Sequence, residues 1–210
     1  KRKIIKMSKI EKISDIIALK IKDQNDLDEE RYLVVKYGLQ AVFQVTFSIL
    51  TVVVFGAIFK VALEAFLISL IISILRRSSG GVHASTELNC ALIGAVVSVF
   101  PAILIMKINM GRELEIVILI VSIIISYILL RKLAPVDSPN KPIRTEKKIK
   151  RLKKASLITW VIYMILVIIF MALSIILKID YLGKLGLLIT FGCLWQSYTL
   201  TKSCHNLYKL

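Results

Sequence analysis

The chain has 210 residues, 57% of them hydrophobic, and a mean hydropathy of +0.76. A soluble domain carries about 45–50% apolar residues, so this composition excludes an ordinary soluble globule and asks for a bilayer. The formal net charge of +15 would suggest nucleic acid on a soluble protein. On a membrane protein it reports first which side the lysines and arginines occupy, and no nucleic-acid partner is expected.

Residues 1–22 read as an amphipathic helix. Ile10, Ile13, Ile17 and Ile21 repeat at spacings of three and four, with Lys6, Lys9, Lys12 and Lys20 around them. That pattern suits a helix lying on anionic lipid, or alternatively a tail helix packed on the protein. An acidic link follows, Asp23 to Glu30. The first 36 residues hold no apolar signal core, so the chain is expected to insert through its own helices.

Six apolar segments come next: Gly38–Phe59, Val61–Leu75, Leu88–Met106, Leu114–Leu130, Ala155–Leu177 and Leu182–Leu200. The expected fold is therefore all-α: a polytopic integral membrane protein with six transmembrane helices and an N-terminal amphipathic helix. We divide it into an interfacial segment, 1–36, and one membrane domain, 37–210. The second segment spans only about 22 Å as a helix, short of about 30 Å of hydrocarbon. Its helix continues through Arg76 and Arg77, the bilayer thins, or the following loop dips into the membrane.

Orientation follows from the cations. With both termini inside, 24 lysines and arginines fall on the cytoplasmic side and 5 outside or near it. That split predicts a multi-pass cell-membrane protein with both termini in the cytoplasm.

The chemistry-bearing segment lies between the second and third spans, from Arg76 to Cys90. It holds His83, one of only two histidines. Gly80 and Gly81 permit backbone turns that other residues resist. Ser85 or Thr86 can cap the third span, which sets Cys90 about one turn inside it, where the partial positive charge of a helix N-terminus attracts an anion. A cysteine and a histidine are the minimum for nucleophilic acyl transfer: the imidazole takes the thiol proton and the sulfur attacks a carbonyl. Their spacing of seven rises about 10.5 Å in a straight helix, out of hydrogen-bond reach. Catalysis therefore needs His83 on a non-helical stretch that folds back toward Cys90. The bland alternative is a packing cysteine and a solvated loop histidine. Cys90, Cys193 and Cys204 show no metal-ligand or paired-disulfide spacing, so free thiols and neither metal nor cofactor are expected.

Arg76, Gly81, His83, Ala84 and Cys90 stand in the order and spacing of the signature of the AgrB family, which processes quorum-sensing propeptides. Ala134-Pro135-Val136-Asp137, followed by Lys141-Pro142, resembles that family's second motif. Tyr37-Gly38 before the first span, the length and the six spans also agree. Glu87 stands where the resemblance leads one to expect a small hydroxyl residue.

The resemblance implies a membrane cysteine endopeptidase with Cys90 as nucleophile and His83 as base. Its substrate is an AgrD-like propeptide with an amphipathic leader and an acidic tail. Cys90 would form a thioester, and the peptide's own Cys or Ser would displace it to close a thiolactone or lactone. Glu87 or Asp137 could orient His83, and Arg76 could steady an oxyanion or a carboxylate. Lys147, Lys148, Lys150 and Arg151 anchor lipid headgroups and could attract the acidic tail. A homodimer is compatible with the sequence, though no feature compels it. From spans and charges alone, a non-enzymatic small-peptide transporter or exporter is the competing reading.

Overall fold

A computed structural model describes residues 8–82, 86–137 and 145–207. Eight helices run in chain order: α1 (Lys9–Asn25), α2 (Glu29–Ile58), α3 (Ala62–Ser79), α4 (Glu87–Lys107), α5 (Arg112–Leu133), α6 (Glu146–Leu177), α7 (Asp180–Tyr198) and α8 (Lys202–Leu207). The described residues form no strand beyond one isolated backbone bridge.

The helix starts are written in short polar side chains. Ser8 accepts from the Glu11 amide at 3.0 Å, Asp28 from Arg31 at 2.8 Å and Thr86 from Asn89 at 3.1 Å. Each satisfies one of the amides that a first turn leaves without a partner. Thr86 is thus the cap expected of the third apolar segment.

Four helices, α2, α4, α5 and α6, are long and apolar enough to cross a membrane. Their outward faces stay hydrophobic; Val96, Phe100, Ile168 and Ile176 are among the exposed side chains. The remaining two apolar segments form helices as well. α3 runs on through Arg76 and Arg77 to Ser79, 18 residues in all.

α7 is the axis of the bundle. It packs against α3, α4, α5 and α6, and Leu187, Leu188, Ile189, Thr190, Cys193 and Gln196 on it are all buried. Small residues allow that closeness. A β-carbon on Gly192 would lie 2.8 Å from Ile71 Cγ2, and one on Gly183 would lie 3.1 Å from Ser174 Oγ. Close backbone approach through glycine is the usual way helices associate where no water drives them together.

Polar contacts sort the helix ends into two sets. At one end Tyr181 donates to Glu64 at 3.2 Å, Lys184 to the Met106 carbonyl at 2.9 Å and Arg112 to Asp180 at 2.9 Å. These gather the starts of α3, α5 and α7 with the finish of α4. Glu64 and Lys184, two of the charged residues inside apolar segments, are therefore partnered within the bundle, as such groups usually are. Trp160 donates to Ser126 and Arg112 to Ser174, so α6 runs antiparallel to α5. The opposite end then holds the finishes of α3, α5 and α7 and the starts of α4 and α6.

α1 lies along α2. Ser14 and Ala18 are buried there, Asp15 accepts from Lys36 at 2.6 Å and from the Tyr32 hydroxyl, and Lys22 pairs with Glu29. Ile13, Ile16 and Leu19 face outward. The boundary drawn at 36/37 falls within the continuous helix α2.

Candidate functional site

The two sequence motifs meet. α3 ends at Gly80, which adopts φ +73°, and Gly81 follows at φ +129°, conformations that side chains disfavour. The Val136 amide donates to the Ser79 carbonyl at 2.9 Å, and Gly80 pairs with Val136 in a parallel bridge. A β-carbon on Gly80 would sit 2.0 Å from the Val136 carbonyl oxygen, so only glycine fits. The Ala134–Pro135 peptide is cis, Ala134 is buried and Asp137 is exposed.

The finish of α7 closes the junction from a third side. Gln196 Nε2 donates to Ser79 Oγ at 3.0 Å and to the Gly80 carbonyl at 2.7 Å. The Val82 amide donates to the Thr199 carbonyl at 3.4 Å, and a β-carbon on Gly81 would lie 2.7 Å from Thr199 Oγ1. Ser79, Gln196 and Thr199 were not singled out by the motif reading. The signal was present, since Gln196 is a polar residue inside an apolar run, and such residues are rare without a purpose.

Cys90 sits one turn into α4. Its amide donates to the carbonyl of the capping Thr86 at 3.0 Å, and its side chain is partly exposed. Arg76 is half-buried in the last turn of α3, near Cys204 on α8. Burial pushes the Cys204 thiol up, and the Arg76 guanidinium pulls it partly back. Cys193 is fully buried in the core of the bundle, and all three cysteines are free. Lys147, Lys148, Lys150 and Arg151 occupy the first turns of α6, at the same end of the bundle as the motif junction. His83, the Glu87 side chain and residues 138–144, with Lys141 and Pro142 of the second motif, lie outside the described residues.

An all-helical bundle with four helices of membrane-spanning length, and with two loops joined by backbone contacts at one end, defines a polytopic membrane protein. The chain belongs to the AgrB family: the family pattern described as accessory gene regulator B matches residues 11–200. It is 40% identical over 199 residues to AgrB-like protein 2 of Clostridium perfringens strain 13, covering 91% of each chain. It is 37% identical over 195 residues to an AgrB-like protein of C. perfringens strain SM101, again covering 91% of each. It is 27% identical over 184 residues to accessory gene regulator protein B of Staphylococcus intermedius, covering 88% of this chain and 89% of that one. No solved structure is significantly similar to it. The AgrB family takes part in accessory gene regulation and quorum sensing, and works with an AgrD propeptide.

Proposed function

We propose that the protein is a membrane-embedded cysteine endopeptidase that cuts and cyclises an AgrD-like propeptide. Helices α2 to α7 form the six spans, with both termini and the motif junction at the cytoplasmic face. The observation that carries the reading is the junction itself. Two segments far apart in sequence, Ser79–Val82 and Ala134–Asp137, are joined by backbone hydrogen bonds at the end of the bundle where α4 begins. Cys90 follows one turn into α4, and His83 is the residue after Val82.

The chemistry balances without a cofactor. His83 takes the Cys90 thiol proton as the sulfur attacks the carbonyl before the propeptide tail. The C–N bond breaks, the imidazolium protonates the departing amine, and a thioester remains. The peptide's own thiol or hydroxyl then attacks that thioester, giving its proton to His83 while Cys90 leaves. Thioester exchange conserves most of the acyl energy, so no nucleotide is required. A lipid-lined site limits hydrolysis of the intermediate. Arg76 steadies charge beside the site, and the cations at the start of α6 attract the acidic tail.

The test is tail release by the purified protein from its propeptide, followed by mass spectrometry. Cys90→Ser abolishes the acyl-enzyme, and His83→Ala lowers tail release about 10²-fold or more, the usual scale for a lost general base. Propeptide binding persists in both. Near-normal tail release by Cys90→Ser returns the protein to the transporter reading.

A further inference from the structure

We infer that Gln196 is a positioning residue for the proposed Cys90–His83 pair, acting by holding the Ser79–Val82 segment that leads into His83. This rests on the peptidase reading above.

The apolar run from Leu182 to Leu200 contains a carboxamide that is 0% exposed. Both of its N–H groups are committed to the end of α3, one to Ser79 Oγ and one to the Gly80 carbonyl. The Gly80 contact also fixes which way the amide faces, since a carbonyl accepts only from nitrogen there. Its Oε1 atom has no hydrogen-bond partner among the described residues.

The placement is specific to one short stretch. Ser79 and Gly80 are held by Gln196, Gly81 lies against Thr199 Oγ1, and Val82 donates to the Thr199 carbonyl. Every residue of the stretch therefore touches the last turn of α7, and the next residue in the chain is His83. On the far side, Val136 ties the same stretch to the second motif. Nucleophile and base need positions good to a fraction of an ångström for proton transfer, and that precision comes from neighbours locked by their own hydrogen bonds. Gln196 is the side chain that links the segment before His83 to the central helix.

The probe is iodoacetamide, with alkylation of the Cys90-bearing peptide timed by mass spectrometry on the full-length detergent-purified protein. Gln196→Met keeps the length and bulk of the side chain but removes both donors. Alkylation is expected to slow about 10-fold or more, toward the rate of His83→Ala, since general-base help contributes on the order of 10²-fold. The double variant Q196M/H83A should react no more slowly than H83A alone, because groups acting as one unit are non-additive. Protection of the buried Cys193 should stay at the parent value, so that slowing does not report global unfolding. Additive slowing, or a Q196M rate within about two-fold of the parent while H83A is slow, overturns the positioning role and leaves the peptidase reading standing. An H83A rate equal to the parent overturns the Cys90–His83 pair and this inference with it. If Q196M does not fold, Ser79→Ala removes one of the two acceptors; its expected effect is a several-fold slowing, and parent-like alkylation by it overturns the inference equally.

Discussion

Gly80 and Gly38 illustrate how differently two glycines of the same chain are used. Gly80 holds a positive φ against the Val136 carbonyl, with no room for a methyl group. Gly80→Ala therefore meets both backbone strain, about 1–3 kcal/mol for such conformations, and a backbone clash that neither segment relieves without parting. The expected outcome is loss of tail release with the rest of the bundle intact, visible as new protease sensitivity near residues 79–82 and 134–137. Gly38 lies exposed inside α2 with nothing within 4 Å of a would-be β-carbon. Gly38→Ala should leave tail release within about two-fold and stabilise the helix by roughly 0.5–1 kcal/mol, the ordinary glycine penalty. The paired glycines were legible in the sequence as a turn. Their partners were not, because Val136 reaches Gly80 only through the packing of α5 on α7. The pairing uses backbone atoms, which carry no residue-specific signal. Gln196 was legible as an anomaly in an apolar run, yet nothing in the sequence says which helix it faces.

At the scale of elements, the readable helices were those that face lipid. α2, α4, α5 and α6 need apolar residues over most of their surface, so their sequences advertise themselves. α7 is enclosed by neighbouring helices, and α3 is enclosed on one face, with Leu63, Leu70 and Ile74 exposed on the other. They can carry Glu64, Lys184, Gln196 and several glycines and serines because neighbours meet those groups. Enclosed helices can therefore hold polar groups, and their ends are the hardest to delimit from composition. α1 poses the opposite problem. Its isoleucine spacing predicts a helix, and α1 is one, but its contact face is set by Ser14, Asp15 and Ala18 against α2. The hydrogen bond from Lys36, and then that from Tyr32, hold the Asp15 carboxyl below the usual carboxylate range. A depressed carboxyl favours the docked state at pH values above its ordinary pKa of about 3.9, and that contribution fades as pH falls through the lowered value. Amide hydrogen exchange across residues 9–25, corrected for the intrinsic pH dependence, should therefore accelerate below about pH 4. Asp15→Asn should exchange faster than the parent at neutral pH and lose that acid step. An acid step that persists in Asp15→Asn assigns the effect to another carboxylate.

For the whole molecule, the two sets of helix ends and the distribution of charge are independent observations that point the same way. The hydrogen bonds of Tyr181, Lys184 and Arg112 gather one set of ends, and among the described residues only Lys60, Lys107, Arg112, Lys178 and Lys184 of the lysines and arginines lie on or near that side. The motif junction, Cys90 and the basic first turns of α6 occupy the other. Cations this numerous resist translocation, so the junction should face the cytoplasm, where a newly made propeptide arrives and its acidic tail can leave into water. An added cysteine at each of two accessible positions, one partly exposed and one exposed, tests this. Lys148→Cys lies at the start of α6, and Asn109→Cys lies between α4 and α5. On intact cells a membrane-impermeant maleimide should label Asn109→Cys and spare Lys148→Cys, and inside-out vesicles should reverse the pattern. The parent protein, with Cys193 and Cys204 buried and Cys90 partly exposed on the junction side, supplies the background to be subtracted in each orientation. Labelling of Lys148→Cys from outside intact cells would put the site on the wrong face for a propeptide made inside. It would sink both the orientation and the proposed order of cleavage before export.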